Sequence, residues 1–177
     1  NRTVATHMHT KKFPFVYRVH PSPDVDRLME FAGFIRPLGY KLKVTDPVEA
    51  KELQRLLQAV NGKPEAHLIN QVLLRSMKEA RYAVENIGHF GLATTFYTHF
   101  TSPIRRYPDL VVHRLLRKAM QKKAIPDTDE LYRQLESICK HTCSTERQAM
   151  EAERESQLLK KIEYLKDHVG KEYPGTI

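Results

Sequence analysis

The sequence predicts an α+β fold in which helices dominate, with about six helices, one short strand and no complete sheet of its own. Three observations carry this. Apolar residues recur at helical spacing over most of the chain, as in Leu131, Leu135, Ile138 and Thr142. Only Phe13–His20, FPFVYRVH, alternates apolar and polar positions in an aromatic, β-branched run. Proline, glycine and Asx punctuation separates these segments: Pro21-Ser22-Pro23-Asp24, Thr45-Asp46-Pro47, Asn61-Gly62 and Pro126-Asp127.

Residues 1–9 read as the tail of a helix. The strand follows, with Phe15, Tyr17 and Val19 on one face. Asp24 or Asp26 caps a helix to about Pro37 whose stripe is Val25, Leu28, Met29, Ala32 and Ile35. Thr45-Asp46-Pro47 opens the next, carrying Leu53, Leu56, Leu57 and Val60 until Asn61-Gly62 stops it. Pro64 starts a longer helix to about Val84, with Leu68, Ile69, Val72, Leu73, Ser76 and Ala80 inward and Arg75, Lys78 and Arg81 on its other side. Gly88–Ala93 is a turn, in which Gly91 allows a close backbone approach or a positive φ. A helix after Pro108 buries Leu110, Val111, Leu115 and Ala119. With Arg114, Arg117, Lys118, Lys122 and Lys123 it is strongly basic. The last helix runs from about Glu130 to Asp167. Its stripe is small in the middle, at Thr142, Thr145, Ala149, Ala152 and Ser156, so that part is expected to lie against the stretch around residue 100.

Composition narrows the function. The chain has 177 residues with 41% hydrophobic content, enough for a core. Its net charge is +8, from 29 Lys+Arg against 21 Asp+Glu, which favours polyanionic partners. No apolar run approaches the length of about 18 residues that a membrane span needs. No signal peptide is visible. The chain begins at Asn1 rather than Met, so it is expected to have been processed, cleaved or excerpted. Cys139 and Cys143 sit one turn apart on a helix. They read as reduced structural thiols of a cytoplasmic protein rather than a metal site, since His141 points off their shared face.

The candidate site is His89–Arg114, HFGLATTFYTHFTSPIRRYPDLVVHR. Ser102-Pro103 fits an N-cap and first helical position. Alternatively, Pro108 disfavours helix at Tyr107 and starts the helix itself, leaving 102–107 as a separate turn. Either way Arg105 and Arg106 stand at or before a helix N-terminus. That is a common solvated basic face, and also the chemistry of an oxyanion site for phosphate. Asp109 can pair with a neighbouring arginine and fix its guanidinium. Phe90, Leu92, Phe96 and Phe100 read as core. Tyr97, His99 and Tyr107 have polar tips and are the better candidates for contacts to a ligand.

This stretch resembles the signature of the RNB domain, the catalytic domain of the ribonuclease II and ribonuclease R family. The resemblance reaches back to Tyr17–His20 and forward to the last helix. It implies the C-terminal part of such a domain over 1–168, with VGKEYPGTI at 169–177 similar to the start of an S1 RNA-binding domain. The implied activity is processive, hydrolytic 3′-to-5′ degradation of single-stranded RNA to nucleoside 5′-monophosphates, with Mg²⁺ held by aspartates. Arg105 matches the arginine that neutralises charge at the scissile phosphate. Ala152-Glu153-Arg154 matches an A-E-R segment near the leaving nucleotide, so Glu153 is chosen over Glu146. The expected RNA contacts are Arg75 (in LLRSM), Tyr97, His99, Thr101, Ser102, Arg106, Tyr107, His113 and Arg114. The wording of the signature and the S1-like tail lean toward the ribonuclease R branch.

One departure is large. The family's aspartate cluster, D-x-x-x-x-x-D-x-D-D, is absent; Asp24 with Asp26, and Asp127 with Asp129, lack its surroundings. The Mg²⁺ ligands would therefore come from outside this chain, from a missing N-terminal half of the domain, and the chain alone is expected to be inactive. Exposed apolar surface is expected where that half would dock. The alternative is a stand-alone RNA-binding or scaffold module.

Overall fold

The structure, a computed structural model, describes residues 1–121 and 128–173. In chain order its elements are α1 (Arg2–Thr10), β1 (Tyr17–Val19), α2 (Val25–Ile35), α3 (Ala50–Val60), α4 (Ala66–Ser76), β2 (Arg81–Ala83), a 3₁₀ turn (Phe90–Leu92), α5 (Tyr107–Met120) and α6 (Thr128–Lys166). Helices dominate, as the periodicity indicates. Lys122, Lys123, Pro126 and Asp127 lie outside the described residues, as do 174–177.

The sheet has one strand more than the alternation revealed. β1 pairs antiparallel with β2 in the register Tyr17↔Ala83, Arg18↔Tyr82 and Val19↔Arg81. The helix expected over 64–84 therefore ends at Ser76, and 81–83 is a strand. Pairing with β1 outweighs the helical propensity of Met77–Ala80, and Tyr82 and Ala83 bury against the core. On its other side β1 receives the stretch that follows the 3₁₀ turn. The Arg18 N–H donates to Tyr97 O (3.0 Å), and Thr98 Oγ1 donates to Val16 O (2.7 Å).

Two apolar clusters form. The first gathers α1, β1, β2, α5 and the start of α6 around Met8, Phe15, Val19, Val112, Leu115 and Leu135. The second packs α2, α3 and α4 through Leu28, Phe31, Ile35, Leu56, Val60, Ile69 and Leu73. The stripes shift slightly from expectation. Met29, Leu57 and Leu68 are exposed, while Phe31 turns inward. An 11-residue helix on a single contact face buries two or three side chains here, and the stripes read from sequence are wider than that face.

α6 makes its contacts earlier than expected. Leu135, Cys139 and Thr142 are buried, and Cys143 Sγ accepts the Tyr82 N–H (3.2 Å). Ala149, Ala152 and Ser156 face solvent, and the helix from Arg147 onward is exposed. Its apolar residues Leu158, Leu159, Ile162 and Leu165 are each about half exposed or more.

Candidate nucleic-acid interface

The turn before α5 is built on one carboxylate. Asp109 is 0% exposed. Its Oδ2 accepts the Ser102 N–H (2.8 Å) and an Arg106 guanidinium N–H (2.8 Å). Ser102 O in turn receives the N–H groups of Arg105 (3.3 Å) and Arg106 (3.1 Å). Of the two local geometries open from sequence, the second holds. Residues 103–105 form a separate turn, and α5 starts at Tyr107 with Pro108 in its first turn. Pro108 lacks the N–H that a first-turn position leaves unused.

The two arginines thereby separate in role. Arg106 is half-buried and spent on Asp109. Arg105 is exposed and meets no acid among the described residues. An anion approaching this turn finds one uncompensated guanidinium on a backbone held from beneath by a buried carboxylate. Tyr107 is 50% exposed beside it, and Thr101 is exposed on the preceding side.

Behind the turn runs a row of rings in edge-to-face contact: His20 to His89 (5.2 Å between centroids), His89 to Tyr97 (5.3 Å), Tyr97 to His99 (5.8 Å) and His99 to Tyr82 (5.6 Å). His99 Nδ1 and the Tyr82 hydroxyl share a hydrogen bond (2.8 Å). Arg18 lies over the Tyr82 ring (4.5 Å) and pairs with Glu146 (2.7 Å). Burial, then the charges of Arg106 and Arg18, pull His99 down from 6.5 to about 4. Burial, then His20 and Arg18, do the same to His89, also to about 4. Both rings are therefore neutral near pH 7. Burial pushes the Tyr82 hydroxyl up to about 12, so it stays protonated.

The remaining expected residues divide. His113 donates from Nε2 to Phe100 O (2.8 Å) and stacks on Phe100 at 4.1 Å, so it braces the stretch from within α5. Arg114 is exposed on the next position of that helix. Arg75 is exposed on α4, the helix whose Ile69 and Leu73 join the second cluster, away from the central stretch's turn. Glu153 is exposed on the outer half of α6 and takes a hydrogen bond from Gln157 (3.4 Å). Glu146, about 10 Å earlier on the helix, is the carboxylate brought to the ring row. Arg18 and Tyr82 went unnoticed in sequence. The alternation of Tyr17 and Val19 did place Arg18 on the face away from the core; Tyr82 was concealed by the over-long helix.

Among the described residues no group of three or more His, Cys, Asp or Glu could hold a metal ion. None of its described helices is long and apolar enough to cross a membrane.

An interface of this kind, set in this fold, defines a class. Residues 1–122 match the family model described as "RNB domain", and the chain belongs to that family. Its relatives are specific. It is 44% identical to Ribonuclease R 1 of Lactococcus lactis subsp. lactis (strain IL1403) over 100% of this chain and 22% of that protein. It superposes on Mycoplasma genitalium RNase R in complex with ribose methylated single-stranded RNA with a TM-score of 0.90 at 31% identity, covering 97% of this chain and 27% of that one. Yeast Ssd1, a pseudonuclease, gives a TM-score of 0.70 at 27% identity over 81% of this chain and 18% of that one. The chain thus spans less than a third of the length of these relatives.

Proposed function

We propose that this chain is the phosphate- and RNA-binding side of a ribonuclease R-type exoribonuclease, acting processively and 3′-to-5′ on single-stranded RNA. The observation that carries the reading is Arg105, an exposed guanidinium without an acidic partner on a turn whose neighbouring arginine is neutralised by buried Asp109. Arg105 meets the scissile phosphate and stabilises the charge that builds there during displacement. Arg106 acts through the turn, keeping Arg105 presented. Tyr107, Thr101 and Arg114 line the approach as further RNA contacts, and Tyr97 and His99 support it from the ring row. Arg75 would touch RNA at a distance from this centre.

The acidic role given to Glu153 by sequence is better supported at Glu146, which is anchored by Arg18 beside the ring row. Glu146→Gln and Glu153→Gln in the longer protein discriminate the two. Mg²⁺ would supply the nucleophilic water, and its ligands would come from other parts of the longer protein, since the described residues offer no group to hold it. Residues 169–177 begin an S1-like RNA-binding domain, and the longer protein works in the cytoplasm. A non-catalytic binding module is the second reading, favoured by the likeness to a pseudonuclease.

The test is a gel assay of the purified chain with uniformly labelled oligoribonucleotide and Mg²⁺. We expect a shifted complex and no mononucleotide. Mononucleotide release by the pure chain would contradict the division of labour.

A further inference from the structure

His20 directly follows β1, and its imidazole is engaged at both nitrogens. Nδ1 accepts the Gly91 N–H (3.0 Å), so the ring proton sits on Nε2, which donates to Lys78 O (2.7 Å). The His20 backbone repeats the grip: its N–H donates to Gly88 O (3.0 Å) and its C=O accepts the Phe90 N–H (2.9 Å). A Cβ on Gly91 would lie 2.8 Å from His20 Nδ1, so the glycine is what lets the ring in. One residue thus joins three segments: the end of β1, the link between α4 and β2, and the turn that opens the central stretch. It also bridges the two apolar clusters, since Phe90 packs on the second while Val19 belongs to the first. Its ring is the first member of the row leading to His99.

We propose that His20 is a positioning residue: its Nε2-protonated imidazole clamps the Gly88–Thr94 turn and thereby fixes the ring row behind the phosphate-facing turn. Its effect on RNA binding rests on the reading proposed above. The geometry of the clamp itself does not.

The asymmetry of the two nitrogens supplies the test. An asparagine amide oxygen reaches the position of Nδ1 and can still accept from Gly91, whereas a glutamine amide reaches the position of Nε2. Proton–nitrogen correlation NMR of the chain should show His20 protonated at Nε2 and the Gly91 amide protected from exchange. His20→Asn should keep that protection and the affinity for a single-stranded oligouridylate. His20→Gln should lose about tenfold in Gly91 protection, as one unmade hydrogen bond implies, shift the His89 and His99 ring signals, and weaken oligouridylate binding by a similar factor. An Nδ1-protonated ring, equal Gly91 protection in both variants, or unchanged affinity after the clamp is lost would overturn the proposal. If the NMR outcomes hold while the wild-type chain binds no oligouridylate, the clamp stands and the RNA reading falls.

Discussion

Asp109 shows how one buried charge organises a surface. It sits in the first turn of α5, where the helix dipole favours an acid, and it satisfies a backbone N–H and a guanidinium at once. Asp109→Asn keeps the shape but removes the charge from under Arg106. We expect a loss of about 3 kcal/mol in urea unfolding, the size typical of breaking a buried pair from one side. The histidines add a pH dependence. His89 and His99 fold with pKa values of about 4, below the unfolded value of 6.5, so the unfolded chain binds more protons between those limits. Their contribution is complete above about pH 6.5 and declines as the pH falls toward 4. Both rings are partly solvated, which softens the effect. The urea midpoint should drop over that window, and the double variant His89→Gln with His99→Gln should flatten the slope.

At the scale of elements, β1 is the spine: β2 lies on one side, the central stretch on the other, and α6 covers the pair through Cys139, Thr142 and Cys143. Burial pushes the Cys139 thiol up to about 12, so little thiolate is available for attack. Iodoacetamide should leave Cys139 unmodified in the folded chain and label it fully in urea, as mass spectrometry of the tryptic peptides would reveal. Labelling of Cys139 at the rate of a free thiol would show that α6 does not sit on β2 as described. How far sequence reached is clearest here. α2, α3, α5 and α6 were legible because their stripes repeat at helical spacing between clear stop signals. β2 was not, because three residues are too few to show alternation and its partner lies far away in the chain. The Arg105 turn was legible from the signature. The pairing of Arg18 with Glu146 was not, because local spacing carries no information about contacts this distant.

For the molecule as a whole, charge and shape point the same way. A net charge of +8 accompanies exposed Arg105, Arg114, Arg117 and Lys118 along the start and outer face of α5. The outer half of α6, with its exposed leucines, leads away from both clusters. The central claim is that Arg105 meets RNA phosphate while Arg106 serves the fold. It is tested most directly by fluorescence anisotropy of a labelled single-stranded oligoribonucleotide, titrated with the chain and with Arg105→Ala across a range of salt concentrations. The account predicts salt-sensitive binding by the wild type. It predicts that Arg105→Ala weakens binding and lowers the salt slope by about 0.7, the loss of one phosphate contact on a single strand, without changing the urea midpoint. Equal affinity and equal salt slope for the two proteins would contradict it.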